Sequence, residues 1–193
     1  MSVANFTNQE REVKIAIPDL AQILAKVQAA GFSESTPRHF ESNTVFDTPD
    51  QSIRGRGELL RLRTAGSHTV LTFKGAALPA RNHKVREELE TDLSNAETFA
   101  LILQRLGLRP LFLYEKYRTE FAAANQPGII MLDETPIGNF IELEGAEDWI
   151  DRTAALLGFT AADYITSSYG QLYRDKCTEL GIDPAHMVFG KPR

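Results

Sequence analysis

The stretch EREVK, Glu10 to Lys14, sets two carboxylates and an ammonium at alternate positions. Successive side chains of a strand point to opposite faces, so Glu10, Glu12 and Lys14 share one face and Val13, Ile15 and Ile17 share the other. Carboxylates hold hard divalent cations through oxygen, while ammonium and guanidinium groups hold phosphate oxygens. A row that carries both suits a metal-bound polyanion. The same alternation recurs along the chain. Arg61 and Arg63 oppose Leu60 and Leu62, and Thr72 and Lys74 oppose Leu71 and Phe73. Arg86, Glu88 and Glu90 form one row, and Lys116, Arg118 and Glu120 form another against Tyr117 and Phe121. Asp133 ends a run whose Ile130 and Leu132 face away, and Glu142 and Glu144 oppose Ile141 and Leu143.

The elements that must position these rows are legible in outline. A strand is predicted over about 9–17, an extended segment over 38–47, and strands at LLRLRTA, TVLTFKG, KVREELETD, LYEKYRTEFA, GIIMLDE and NFIELEG. PDLAQILAKVQAAGF reads as a helix with Asp19 as N-cap, an apolar stripe of Leu20, Ile23, Leu24 and Val27, and Gly31 as the stop. SNAETFALILQRLGL reads as a second, capped by Ser94 or Asn95 and closed at Gly107. TPDQSIRGRGE reads as a loop, and the chain from about Asp148 reads as helical. Strands outnumber helices and several are separated only by turns. An antiparallel sheet with appended helices follows.

An ordinary half-exposed sheet accounts for any one charged row. The set is another matter, because solvated faces normally mix in Ser, Thr, Asn and Gln. If the sheet curls into a barrel, with helices covering its apolar outside, the charges point inward. Unpaired charges there would cost several kcal/mol each, so the interior needs mutual pairing, water, or a charged ligand and metal.

The 193 residues are read as one domain, 1–193, large enough for a real core. A formal net charge of -5 argues against a general nucleic-acid grip. No apolar run has the length of a membrane span, and charges occupy positions 10 to 14 where a signal peptide would be apolar. The single cysteine, Cys177, excludes an internal disulfide. A cytoplasmic location is expected, with no membrane or nucleic-acid partner.

EREVK fits the ExExK signature of the CYTH superfamily, the triphosphate tunnel metalloenzymes. The resemblance continues in order through NTVFDTPD, LLRLR, TFKG, REELE, EKYR, LDE, FIELEG and SSYGQL, over about residues 9–173. It implies an α+β fold: an eight-stranded antiparallel β-barrel, the triphosphate tunnel, with helices packed outside. It implies Mg²⁺ or Mn²⁺ held by Glu10, Glu12, Asp133, Glu142 and Glu144. It implies phosphate binding by Lys14, Arg61, Arg63, Lys74, Arg86, Lys116 and Arg118, and catalytic roles for Lys14, Lys116, Glu88 and Glu90. The substrate would be a triphosphate-containing small molecule: tripolyphosphate, thiamine triphosphate or ATP. Val45 stands where the family usually has an aromatic. The segment 174–193 has no counterpart in the pattern, and Lys176 is its candidate for a basic residue reaching the tunnel.

Three functions fit these residues. A metal-dependent triphosphatase would drive water onto the terminal phosphorus. A class IV adenylyl cyclase would use the same cage to turn ATP into cyclic AMP and pyrophosphate. A non-catalytic polyphosphate or nucleotide binder would have little use for so many carboxylates, which favours an enzyme, and the constant presence of water in an open tunnel favours hydrolysis. His39, His68, His83 and His186 are scattered and read as loop or surface residues. Cys177 reads as a packed thiol and Trp149 as helix packing. RGRG, 54–57, lacks a following helix and is a poor phosphate loop.

Overall fold

The computed structural model describes residues 8–124 and 126–190. Eight strands alternate with or precede five helices: β1 (Gln9–Ile17), α1 (Leu20–Ala29), β2 (Ser33–Asp47), α2 (Ser52–Gly55), β3 (Leu59–Ala65), β4 (His68–Lys74), β5 (Lys84–Asp92), α3 (Ala96–Arg105), β6 (Arg109–Ala122), β7 (Ile129–Thr135), β8 (Gly138–Glu144), α4 (Glu147–Leu157) and α5 (Tyr169–Leu180). The strands close into a barrel in the order β1-β5-β4-β3-β2-β6-β7-β8, every pair antiparallel. The expected eight-stranded α+β barrel is thus the observed fold.

The period-two alternation explains both surfaces of the barrel wall. Val13, Ile15, Ile130, Leu132, Ile141 and Leu143 point outward and are buried under α1 and α4, which contribute Ile23, Val27, Ile150, Ala154 and Leu157. Phe46 and Leu62 pack under Leu103 of α3. Asp19 caps α1 by accepting the Gln22 N–H at 3.0 Å, and Asn95, of the two expected candidates, caps α3 through Thr98 at 2.8 Å. Trp149 lies edge-on to Phe32 and fills the space above Gly128 and Gly145. A Cβ at either glycine would stand 2.3 or 2.9 Å from the indole, so both positions require Gly.

Three segments depart from the sequence reading. β2 begins at Ser33 rather than 38, because its early residues pair with β6 from Ala122 onward. Part of the loop at 48–58 winds into α2, because the Asp47 carboxylate accepts the Ile53 and Arg54 N–H groups at 3.0 and 2.9 Å. The tail docks on β6, where the Glu115 N–H donates to the Met187 carbonyl at 2.9 Å and the Met187 N–H to that of Leu113 at 3.0 Å. Met187 is buried in one apolar cluster with Tyr114, Phe140 and Tyr169. No described helix is long and apolar enough to cross a membrane.

Candidate active site in the barrel interior

The inward row of β1 is set by its neighbours' register. Lys14 stands opposite Glu142 and Glu12 opposite Glu144 on β8, while Glu10 and Glu12 face Arg86 and Lys84 on β5. Lys74 of β4 lies opposite Glu88, and Arg61 of β3 lies between Thr72 and Val45. Barrel closure turns these pairings into one cavity of about 550 Å³, lined by acidic and basic side chains together.

The charges alternate along one continuous path. Lys84 lies 2.9 Å from Glu12, Glu12 3.3 Å from Lys14, and Lys14 2.9 Å from Glu142. Glu142 meets Arg118, Arg118 lies 2.6 Å from Asp133, and Asp133 lies 2.9 Å from Lys116. Lys116 lies 3.5 Å from Glu41, Glu41 3.7 Å from Arg63, and Arg63 3.3 Å from Glu90. The path returns through Arg61, 3.5 Å from Glu90 and 3.9 Å from Glu88, to Lys74, which is 3.1 Å from Glu88 and 2.6 Å from Glu10. Such pairing makes an internal set of charges tolerable without ligand.

Two members stand outside the pairing. Arg86 is 8% exposed, makes no ion pair within 4.0 Å among the described residues, and leaves Nε without a partner. Glu144 also has no ion pair among the described residues. Burial, followed by repulsion from Glu10, raises the Glu144 carboxyl to about 7. The Glu88 carboxyl is likewise raised to about 7, by burial and by Glu10 against the pull of Lys74. Glu12 behaves oppositely: burial opposes ionisation, yet Lys14 and Lys84 hold its carboxyl well below the ordinary range.

Glu10, Glu12, Glu88, Glu142 and Glu144 all line the cavity and offer only oxygen, which fits a hard divalent cation. Among the described residues no three such side chains already converge around one point. Burial first, and then repulsion from Glu10, raise the Glu88 and Glu144 carboxyls, and a cation would offset both. Asp133, expected in the metal set, is not among the residues that line the cavity. It is fully buried, and its oxygens accept from Lys116, Arg118 and the Tyr169 hydroxyl, the last at 2.8 Å. Three of these donor groups converge on Oδ2 and one on Oδ1, which makes Asp133 an anchor behind the cations.

Several residues of the site were not singled out from the sequence. Lys84 shares the parity of Arg86, and Glu41 that of Val45, so the alternation test applied to those strands would have found both. Tyr114 donates no such signal, yet its hydroxyl accepts from Arg61 at 3.2 Å. Tyr169 arrives from α5, its ring 5.1 Å from the Lys14 ammonium and 5.5 Å from that of Lys116. Lys176 lies on the outside of α5, paired with Glu179 at 3.0 Å. Arg174 lines the cavity instead, since positions two apart on a helix point about 200° apart. His83 is buried rather than exposed, its Nε2 3.0 Å from Asp151. Cys177 is buried, as a packed thiol should be.

A family model described as the CYTH domain matches residues 8–157. Among solved structures, a candidate adenylate cyclase from Vibrio parahaemolyticus is 19% identical with a TM-score of 0.74, covering 84% of this chain and 96% of that one. A Pyrococcus horikoshii protein is 22% identical with a TM-score of 0.69, covering 83% and 96%. A candidate adenylyl cyclase from Hippeastrum with a dominant triphosphatase activity is 18% identical with a TM-score of 0.63, covering 86% and 96%. At these identities the likeness is one of fold. No curated protein matches the sequence.

Proposed function

The chain belongs to the CYTH domain family, whose members are triphosphatases and adenylyl cyclases generally dependent on a divalent metal, and on that premise we propose that it is a metal-dependent triphosphatase. The observation that carries this reading is the continuous path of alternating charge, from Lys84 to Glu10, along the wall of one cavity.

Arg86, without a carboxylate partner, offers the first grip on a phosphate oxygen, and Arg61 and Arg63 add planar donor pairs. As phosphate oxygens take Lys74 from Glu10 and Lys84 from Glu12, Glu10 loses its paired cation and Glu12 keeps only Lys14. Glu10, Glu12 and Glu144, with Glu88 and Glu142 beside them, are then the residues to hold Mg²⁺ or Mn²⁺. A bound divalent cation would supply charge neutralisation and acidify water. Lys14 and Lys116 hold the developing charge on the transferred phosphoryl group, kept in place by Glu142 and Asp133. Glu88 and Glu90 line the same cavity and are the candidate proton acceptors for the attacking water; Glu88, poised near neutrality, suits that task.

The cyclase reading uses the same cage. It is favoured by the apolar stretch of cavity wall around Phe112, which has no use for an inorganic chain. The Hippeastrum relative, with its dominant triphosphatase activity, supports hydrolysis. A product assay separates the readings: ATP, tripolyphosphate and thiamine triphosphate, each with Mg²⁺ and with Mn²⁺, resolved for phosphate, pyrophosphate and cyclic AMP. Phosphate release is expected. Cyclic AMP with pyrophosphate would assign a cyclase, and tight binding without any product would leave only a binding module.

A further inference from the structure

Every cation of the charged path has a carboxylate within 4.0 Å. Where β6 begins, the cavity wall changes character. Val45, Ile53, Leu111, Phe112 and the tail residues Pro184 and Ala185 form it. Two guanidinium groups line the same end, Arg54 from α2 and Arg174 from α5. Their hydrogen bonds go to amides: Arg54 to Gln51 at 3.3 Å and Arg174 to Gln171 at 2.6 Å. Neither makes an ion pair among the described residues.

The neighbouring carboxylates are already engaged. Asp47 accepts the Ile53 and Arg54 N–H groups, Glu58 is paired with Arg56 at 2.7 Å, and Asp175 accepts from the Gln171 amide at 2.6 Å. Burial, and then the like charge of Arg54, holds the Arg174 guanidinium below the ordinary arginine range. Gly170 leaves room between the ring and the cation, since a Cβ there would stand 3.4 Å from Phe112 Cε1 and 3.5 Å from Arg174 Nη1. Two like charges beside an aromatic edge, with no carboxylate within 4.0 Å of either among the described residues and only Asp175 near Arg174, are complementary to an anion attached to an organic group. An inorganic triphosphate held in the cage would leave this wall without a partner. The cavity, at about 550 Å³, is of the size that encloses a small organic molecule.

We infer that Arg54 and Arg174 form a second anion subsite, and that the substrate is a triphosphate ester whose organic part carries a further anionic group against Phe112. This rests on the triphosphate reading of the cage. The test is calorimetric titration of the full chain, with Mg²⁺, using three probes: tripolyphosphate, ATP, and ATP bearing a 3′-phosphate. Wild type should bind the 3′-phosphorylated ester about tenfold more tightly than ATP, the gain expected of one charge-assisted contact. Arg54→Gln and Arg174→Gln should bring the two esters to within about twofold of each other and leave tripolyphosphate affinity unchanged. Arg174→Lys should keep part of the preference. A merely structural role would lower the melting temperature and weaken all three probes together, which would overturn the inference. So would equal affinity of wild type for the two esters, or a preference that survives both glutamine variants. Failure of tripolyphosphate to bind at all would overturn the cage reading and this inference with it; binding without preference overturns the inference alone.

Discussion

Lys14 and Glu142 face each other directly across the β1–β8 pair, Nζ 2.9 Å from Oε1, with both side chains buried. Lys14 also reaches Glu12 and Glu142 also meets Arg118, so this pair joins the two halves of the charged path. Burial disfavours the Lys14 ammonium, but Glu12 and Glu142 together hold its proton more tightly than usual.

Removing one partner of a buried pair leaves the other charge uncompensated, at a cost of about 3–5 kcal/mol. Lys14→Ala is expected to destabilise the barrel by less than this, since Glu142 keeps Arg118 and Glu12 keeps Lys84, measured by urea unfolding. The double change Lys14→Met with Glu142→Gln should recover part of that loss while staying inactive. A Lys14→Ala variant as stable as wild type would show that the pair is not formed in solution.

Arg86 predicts the reverse pattern. No carboxylate depends on it among the described residues, so Arg86→Gln should cost little stability. It should weaken tripolyphosphate binding by about tenfold or more, since a hydrogen bond to a charged group contributes roughly 1.5–3 kcal/mol. Arg118→Gln, by contrast, should destabilise strongly, because it strips Asp133 and Glu142 of a shared cation. Unchanged affinity in Arg86→Gln would place that guanidinium away from the phosphates.

The response to pH follows from Glu88 and Glu144, both raised to about 7 from an ordinary 4.5. A carboxyl that binds its proton more tightly when folded stabilises the fold fully below its unfolded value, and that stability is lost as pH rises through the folded value. The ligand-free protein should thus lose stability between about pH 5 and pH 7.5. Glu12 and Glu41 act with opposite sign, but their stabilisation is lost only as pH falls below the ordinary carboxylate range. Glu144→Gln should flatten the slope, and saturating Mg²⁺ together with tripolyphosphate should reverse it. A melting temperature that rises across this range without metal would contradict the clustering of these carboxylates. On the alkaline side burial brings the Lys84 ammonium down to about 8, so triphosphate affinity should fall above that pH in wild type and not in Lys84→Met.

Because Glu10 and Glu12 are held by Lys74 and Lys84 in the empty protein, metal and triphosphate should bind cooperatively. Mg²⁺ alone should shift the melting temperature little. Mg²⁺ with tripolyphosphate at about 100 times the dissociation constant should add roughly 2.7 kcal/mol, a shift of several degrees for a chain of this size. Glu12→Lys should abolish the joint shift. Additive, independent shifts from the two ligands would argue against exchange of the lysines between carboxylate and phosphate.

The strands and the sorting of their faces lie in the sequence itself, because a period of two is a local property. Glu10, Glu12 and Lys14 share a face whatever the strand packs against, and the apolar opposite face then calls for cover. Asp19 and Asn95 mark helix starts for an equally local reason, since each reaches a backbone N–H only three residues on. Which charge meets which is not local. Register and closure bring Lys14 to Glu142 and Lys74 to Glu10, residues 128 and 64 apart in the chain. Whether a carboxylate lines the cavity or sits behind it is also decided there: Asp133 has the parity of a ligand, but Lys116, Arg118 and Tyr169 enclose it. Tyr169 and Arg174 belong to the site only because α5 and the tail dock along the open edge of β6. Alternation chooses the face, and only the folded barrel, through register, closure and docking, chooses the neighbours.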